Sequence, residues 1–155
     1  MEPDHRARDV WANRVNEIYA AAEANGFFVA RGEPRKARLV DDNVLEVYLE
    51  LAFGRDDQGR PLIPIRRGER EPWLVIEEWI EVEPNPTLQG YNYDLIDGSG
   101  SQHFGIHFHG HGGPATAHRQ GIGVPGGHEM YRVTDVASAL WEILDVAFAH
   151  RLGRG

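Results

Sequence analysis

Histidine dominates one short stretch of the chain, and histidine is the side chain best suited to proton transfer near neutral pH. Six of the eight histidines fall within residues 103–128. If residues 102–113 form a strand, alternate side chains point to opposite faces. One face then carries the imidazoles, with a glycine between the first and the second: His103, Gly105, His107, His109 and His111. The other face carries Phe104, Ile106 and Phe108, which can be buried.

A metal site is one chemistry that this spacing permits. Residues i and i+2 on one strand face lie about 6.6 Å apart at ~3.3 Å per residue, and two such imidazoles can converge on one ion with Zn–N distances of about 2.0–2.1 Å. Three successive histidines span too far, so further ligands must come from the glycine-rich stretch that follows. The predicted ligands are His107, His109, His118 and His128, and the implied cofactor is a divalent metal such as Zn²⁺. Glu129 is the one carboxylate nearby in sequence that could orient a ligand.

Acid–base catalysis without a metal is the second chemistry. One imidazole can accept a proton while another donates it, and an arginine can hold a phosphate beside them. The predicted catalytic residues are His107, His109, His111 and Arg119, which together indicate a nuclease or another phosphodiester hydrolase. A third interpretation assigns no chemistry, and the histidines then form a solvated or self-packed polar face.

Composition limits the fold and the location of the protein. A chain of 155 residues with 41% hydrophobic content predicts one compact domain over residues 1–155. The absence of cysteine excludes disulfides, thiolate zinc sites and cysteine nucleophiles. The N-terminal segment is charged, and no apolar run approaches the ~20 residues that span a bilayer. We therefore expect a cytoplasmic protein without a membrane partner.

Charge is distributed unevenly along the chain. The formal net charge of −8 disfavours a protein that coats duplex nucleic acid by counterion release. Residues 41–97 hold 14 Asp and Glu against 5 Arg, whereas Glu129 is the only acidic residue within residues 103–132. A nucleic-acid substrate would therefore be a flexible single strand. The acidic middle also offers a non-enzymatic alternative, an interaction module that binds a basic partner.

Helices are predicted at both ends of the chain. Apolar residues recur at spacings of three and four within residues 4–25, and Gly26 follows as a C-terminal stop. The second helix is predicted from Asp135 to about Arg151, with Thr134 as its N-cap.

Strands are predicted between these helices. Alternating apolar residues indicate two short strands within residues 26–40 and longer strands over residues 44–53, 73–83 and 88–96. The Asp-Gly-Ser-Gly turn at 97–100 predicts that the histidine strand pairs with the strand before it. Glu78 interrupts an apolar face, which indicates a sheet edge, and the stretch after Gly113 is predicted as loop. The expected fold is an α+β domain with an antiparallel sheet of about five or six strands and an N-terminal and a C-terminal helix.

The segment YNYDLIDGSGSQHFGIHFHGH resembles part of a known family. Its matching pieces are Tyr91, Tyr93, Asp97, Gly100 and His107–His111, with His118 and His128 downstream. A Tyr-x-Tyr strand, an Asp-x-x-Gly turn and a strand ending in a histidine-rich motif resemble the TumE-like toxin family of toxin–antitoxin systems, over roughly residues 88–148. The family strand carries Arg-Tyr-Asp-Asn-x-Pro-His-His, where this chain has Gly-Ile-His-Phe-His. The resemblance implies a toxin that acts on nucleic acid and has an antitoxin protein as its partner.

Overall fold

The computed structural model of the chain describes residues 2–63, 65, 70–98, 102–110, 116–131 and 135–152. Within these ranges the elements follow a helix–sheet–helix order. They are α1 (His5–Asn25), β1 (Phe28–Ala30), β2 (Arg38–Asp41), β3 (Val44–Phe53), β4 (Trp73–Glu81), β5 (Thr87–Ile96), β6 (Gln102–His109), β7 (Thr116–Gly121), β8 (His128–Met130) and α2 (Val136–Leu152). A short 3-10 turn, Pro125–Gly127, precedes β8. The helix–sheet–helix order is the predicted one.

All strand pairings in the sheet are antiparallel, in the order β1-β3-β4-β5-β6-β7-β8. Strand β2 pairs with the same edge of β3 as β1 does, at the opposite end of β3. The predicted α+β class and terminal helices are confirmed. The sheet has eight strands instead of five or six, because β7 and β8 form in the stretch predicted as loop. Backbone pairing to β6 and β7 extends the sheet there, although the sequence shows little apolar alternation.

Both helices pack on one face of the sheet, and the apolar core lies between them and the strands. Helix α1 contacts β1, β3 and α2, while α2 contacts β6. The large side chains with less than 2% exposure come from both layers: Ile18, Leu45, Leu49, Leu51, Ile63, Leu74, Ile76, Tyr93, Leu95, Phe104, Ile106 and Leu140. Burial of each such side chain contributes about 1.5–3 kcal/mol. No helix in the described ranges has the length and apolar character needed to cross a bilayer.

Capping residues define the observed helix ends. The Asp4 side chain accepts from the backbone N–H of Ala7 at the start of α1, and Gly26 ends α1 with a positive φ of 84°, as predicted. At the start of α2, Asp135 Oδ1 accepts from the backbone N–H of Ser138 at 2.8 Å. Thr134, the predicted N-cap, lies outside the described residues.

Glu78 lies in the middle of the sheet, so its predicted position at an edge is wrong. Strand β4 is flanked by β3 and β5, and Glu78 is 0% exposed. Arg14 of α1 donates to both carboxylate oxygens, at 2.6 Å from Nε and 2.7 Å from Nη2. The Tyr93 hydroxyl also donates to this carboxylate. A charged side chain interrupts the apolar face because an arginine from the helix layer pairs with it.

The sheet face opposite the helices is called the open face below. The side chains of β3 to β6 alternate between the core and this face, as the burial patterns of the strands show. The open face carries aromatic, acidic and histidine side chains, and most of those on the central strands are partly buried. This is the face on which the predicted histidine chemistry lies.

Candidate functional site

One row of side chains crosses the open face from β3 to β8. Strand register places its members directly opposite one another in succession: Tyr48, Glu77, Asn92, His107, His118 and Met130. His109 lies two residues beyond His107 on β6, and His128 lies on β8 opposite Gln120. The histidine cluster is defined here as His107, His109, His118 and His128.

The imidazole rings of the histidine cluster contact one another. The ring centroids of His107 and His118 are 5.1 Å apart, and those of His118 and His128 are 4.4 Å apart. His109 lies 5.9 Å from His107 and 6.1 Å from His118. The structure therefore brings together all four histidines that the sequence proposed as metal ligands. His111, a proposed catalytic residue, lies outside the described residues.

His103 does not join this cluster, which corrects its predicted placement on the same face. Ile96 pairs with Gln102, but Leu95 pairs with Phe104, so His103 is an extra residue in β6. Such a bulge changes the face on which the neighbouring side chain lies. The His103 ring lies 6.3 Å from that of His150 on α2. Gln102 contacts Asp94 on the open face.

A carboxylate from the neighbouring strand binds the histidine at the centre of the row. Asp94 Oδ1 of β5 lies 2.6 Å from His107 Nε2, and the two side chains are only 20% and 13% exposed. The histidine-rich segment itself indicates only Glu129, because Asp94 precedes His107 by 13 residues and lies on another strand. The predicted turn at 97–100 pairs β5 with the histidine strand. Alternation along β5 then places Asp94 on the face opposite the apolar residues Tyr93 and Leu95, so this pairing could have identified Asp94 as a neighbour of the histidines.

Three polar side chains connect His118 to His107 by hydrogen bonds. His118 Nε2 lies 3.1 Å from Gln120 Oε1, and Gln120 Nε2 donates to Gln102 Oε1 at 2.6 Å. Gln102 Nε2 in turn donates to Asp94 Oδ1, which also binds His107. We call Gln120, Gln102 and Asp94 the polar relay. It links the two histidines that face each other across β6 and β7.

The polar relay assigns a tautomer to each neutral imidazole. Gln120 Oε1 and Asp94 Oδ1 are acceptors, so Nε2 carries the hydrogen in both His118 and His107. The Nδ1 atom of each ring is then the nitrogen that can exchange a proton with a substrate. Burial, followed by the charge of His107, lowers the pKa of His118 below its ordinary value. His118 is therefore neutral at pH 7 and suited to accept a proton.

Gly105 makes room for the polar relay. A Cβ atom at this position would lie 2.4 Å from Asp94 Oδ1, 2.6 Å from Gln102 Nε2 and 2.9 Å from His107 Nε2. Real Cβ atoms essentially never approach other atoms so closely. A glycine is therefore required between the first two histidines of the strand, because the side chains of Asp94, Gln102 and His107 occupy the space that a Cβ atom would fill.

Arg119 lies on the opposite side of the sheet from the histidine cluster, contrary to its expected place as a phosphate clamp. It pairs with Ile106, whose side chain is in the core, and alternation along β7 separates it from His118. Its guanidinium donates to Glu142 at 2.6 Å and to Glu129 at 2.7 Å. The hydrogen bond to Glu142 is the main cause that raises the pKa of Arg119. Arg119 joins α2 to the edge strands instead of facing the histidines.

The described residues do not fit a metal site. Within those ranges, no group of three or more His, Asp or Glu side chains is placed to hold an ion. The Nε2 atoms of His107 and His118 are already bound to Asp94 and Gln120. The predicted metal and its ligand set remain predictions.

Comparison with protein-family models, with curated proteins and with solved structures gives no significant match to this chain.

Proposed function

We propose that this protein is a phosphodiester hydrolase of the toxin-like nuclease type, which cleaves flexible single-stranded RNA with His118 as base and His107 as acid. The observation that supports it best is the polar relay, because it holds two facing imidazoles in defined tautomers. Paired histidines in a partly buried site are suited to proton transfer near neutral pH.

The proposed reaction needs one proton acceptor and one proton donor. His118 Nδ1 removes the proton from a ribose 2′-hydroxyl, and the 2′-oxygen forms a new bond to phosphorus. The bond between phosphorus and the 5′-oxygen breaks, and the leaving oxygen takes a proton from Nδ1 of protonated His107. The products of this transesterification are a 2′,3′-cyclic phosphate and a free 5′-hydroxyl, and addition of water to the cyclic phosphate in a second, slower step completes the hydrolysis. The internal nucleophile of RNA makes a metal-activated water unnecessary.

Asp94 is proposed as the residue that positions His107. A protonated His107 forms an ion pair with Asp94 across the 2.6 Å contact, as carboxylates do beside catalytic imidazoles. The imidazolium also supplies positive charge close to the substrate phosphate. This charge matters because, among the described residues of the open face, no arginine lies directly beside the histidines.

Cleavage of a labelled single-stranded RNA in EDTA, from pH 5 to pH 8, tests this proposal. We expect a bell-shaped rate profile and products that end in a 2′,3′-cyclic phosphate. A DNA strand of the same sequence should resist cleavage because it lacks the 2′-hydroxyl. His107→Ala and His118→Ala should each reduce the rate by about 10²–10⁴-fold, and Asp94→Asn should also reduce it.

His5→Ala is the matched control, because this histidine lies on α1 with a side chain 94% exposed. Equal cleavage by wild type and His107→Ala would indicate a contaminating nuclease. No cleavage of RNA or single-stranded DNA from pH 5 to pH 8, with and without divalent metal, would refute the proposal. Cleavage that requires added Zn²⁺ would instead support the metal interpretation.

Growth of a bacterial host provides a second test. A nuclease of this type should slow growth on expression, and His107→Ala should relieve the effect while the protein stays folded. An antitoxin protein is the proposed partner in that setting. Harmless expression of an active, folded wild-type protein would argue against a toxin role but not against RNA cleavage.

A further inference from the structure

Trp79 forms an aromatic platform beside the histidine cluster. It lies opposite Gly90 of β5, and Gly90 lies opposite His109 of β6. A Cβ atom on Gly90 would lie 3.4 Å from Trp79 Cε3 and 2.8 Å from the Phe108 backbone oxygen. The indole therefore extends over the glycine toward β6. Two strand spacings of about 4.8 Å separate β4 from β6, a distance comparable to the size of one nucleotide.

The indole of Trp79 differs from the other aromatic rings of this face. The guanidinium of Arg31 lies 4.2 Å from the Trp73 ring, and that of Arg35 lies 3.5 Å from the Tyr48 ring. Among the described residues, no cation covers Trp79. Trp79 is only partly buried, so part of its indole remains accessible to a ligand.

Glu77 lies two residues from Trp79 on the same face and lacks an ion-pair partner among the described residues. Its one hydrogen bond there is a long contact of 3.4 Å from Asn92 Nδ2 to Oε1. Burial, followed by the charge of Glu46, raises the pKa of Glu77. The charge of Arg35, which stacks on Tyr48, offsets only part of this shift. A partly buried carboxylate without a direct ion-pair partner is unfavourable, so a ligand that donates two hydrogen bonds would stabilise it.

We propose that this patch binds a guanine base, with Trp79 stacking on the ring and the Glu77 carboxylate accepting from two adjacent N–H groups. Guanine is the RNA base whose Watson–Crick edge carries two adjacent N–H donors, which matches the two oxygens of a carboxylate. Aromatic stacking with edge recognition is the usual way in which proteins read single-stranded RNA. This inference rests on the proposed function, because it makes the guanine part of the substrate that the histidines cleave.

An arginine side chain of a protein partner offers a similar pair of donors. The position of the patch favours the base, because Gly90 leaves a flat surface that runs from Trp79 to His109. A purine attached to a ribose spans this surface, with its phosphate directed to the histidines, whereas a guanidinium covers only the indole.

Binding of the four nucleoside 3′-monophosphates by calorimetry tests the inference. We expect 3′-GMP to bind about tenfold to a hundredfold tighter than 3′-AMP, 3′-CMP or 3′-UMP, the range expected of a good bidentate pair. Glu77→Gln should reduce this preference to within about twofold. Trp79→Ala should weaken all four by about tenfold or more, and Trp79→Phe should retain most of the affinity. Trp141→Ala, a change of a half-exposed tryptophan on α2, is the matched control and should change nothing.

Equal affinity for the four monophosphates would overturn the inference, as would an equal loss in Trp141→Ala. Displacement of 3′-GMP by N-acetyl-arginine amide at comparable affinity would identify a guanidinium site and overturn it too. A guanine preference without RNA cleavage would refute the hydrolase and leave the base site standing. RNA cleavage without any preference for 3′-GMP would refute the base site and leave the hydrolase standing.

Discussion

Asp94 and His107 form a diagonal contact across the β5–β6 pair, with 2.6 Å between Oδ1 and Nε2. The residue directly opposite Asp94 is Gly105, and the residue directly opposite His107 is Asn92. Diagonal neighbours in an antiparallel pair lie ~7–8 Å apart at Cα, within reach of long side chains. The contact forms because the intervening glycine has no side chain.

Gly105→Ala should therefore damage the site more than the fold. The three close contacts of the added methyl are all side-chain ends, of Asp94, Gln102 and His107, which can move. We expect a loss of stability of about 1–3 kcal/mol, as for modest overpacking, and a fall in RNA cleavage similar to that of Asp94→Asn. Denaturant melts and cleavage rates measure the two effects.

The double variant Asp94→Asn/Gly105→Ala checks the cause of this effect. If both changes act by displacing His107, the double variant should lose less cleavage activity, expressed as free energy, than the sum of the losses in the two single variants. Fully additive losses, or normal cleavage by Gly105→Ala, would show that the diagonal contact does not govern activity.

The pH dependence of stability should reveal the environment of His118. Burial, together with His107, His128 and His109, lowers the His118 pKa, and Gln120 opposes this effect. As pH falls below about 6.5, the unfolded chain gains a proton at this residue before the folded protein does. The stabilisation by neutral His118 is therefore complete above pH 6.5 and is lost as pH falls toward the folded pKa.

Unfolding free energies of wild type and His118→Gln at pH 7.5 and pH 5 measure this effect. The advantage of wild type over the variant should shrink at the lower pH. His5→Gln, a change of a side chain that is 94% exposed, is the control, and the effect of His118→Gln should exceed it. An imidazole NMR titration that places His118 above 6.5 would contradict the burial argument.

The two faces of β6 should respond differently to alanine. Phe108 is 8% exposed and packs in the core, whereas His109 is exposed on the open face. We expect Phe108→Ala to cost about 3–5 kcal/mol, and His109→Ala to change stability by no more than about 0.5 kcal/mol. Denaturant melts that give the reverse order would mean that the face assignment of the strand is inverted.

Removal of the cation from the Arg14–Glu78 pair should destabilise the protein far more than the same change in a surface pair. Arg14→Met leaves the fully buried Glu78 carboxylate without its cation, which should cost about 3–5 kcal/mol. The control is Arg6→Met, since Arg6 and its partner Glu83 are 49% and 57% exposed, and it should cost at most about 1 kcal/mol. Replacing both Arg14 and Glu78 by Met should recover most of the loss. A single change at Arg14 that costs no more than the control would contradict the buried-pair account.

Local sequence patterns determined most of the secondary structure. Strand β3 spans Val44–Phe53, the predicted range, because strict alternation of apolar residues suits only a half-buried strand. Helix α1 ends at the predicted Gly26, since glycine readily adopts the positive φ of a helix end. The open face of β6 was also evident for His107 and His109, because side-chain direction in a strand depends only on parity.

Pairing between strands lay beyond these patterns. Strands β7 and β8 form through backbone hydrogen bonds to the neighbouring strand. Backbone hydrogen bonds depend little on residue type, so the sequence does not indicate them. A one-residue bulge at His103 moved that histidine to the helix side, and no local motif signals a bulge of this kind. The opposite faces of His118 and Arg119 follow from the register of β7.

By itself, then, the sequence determined that a histidine-rich strand follows a set of acidic strands. Only the tertiary structure decided which partners those histidines have. Asp94, Gln102 and Gln120 come from three strands, and they meet because cross-strand register aligns them over the gap at Gly105. Register depends on hydrogen bonds between different strands, so the partners of each histidine are properties of the folded sheet.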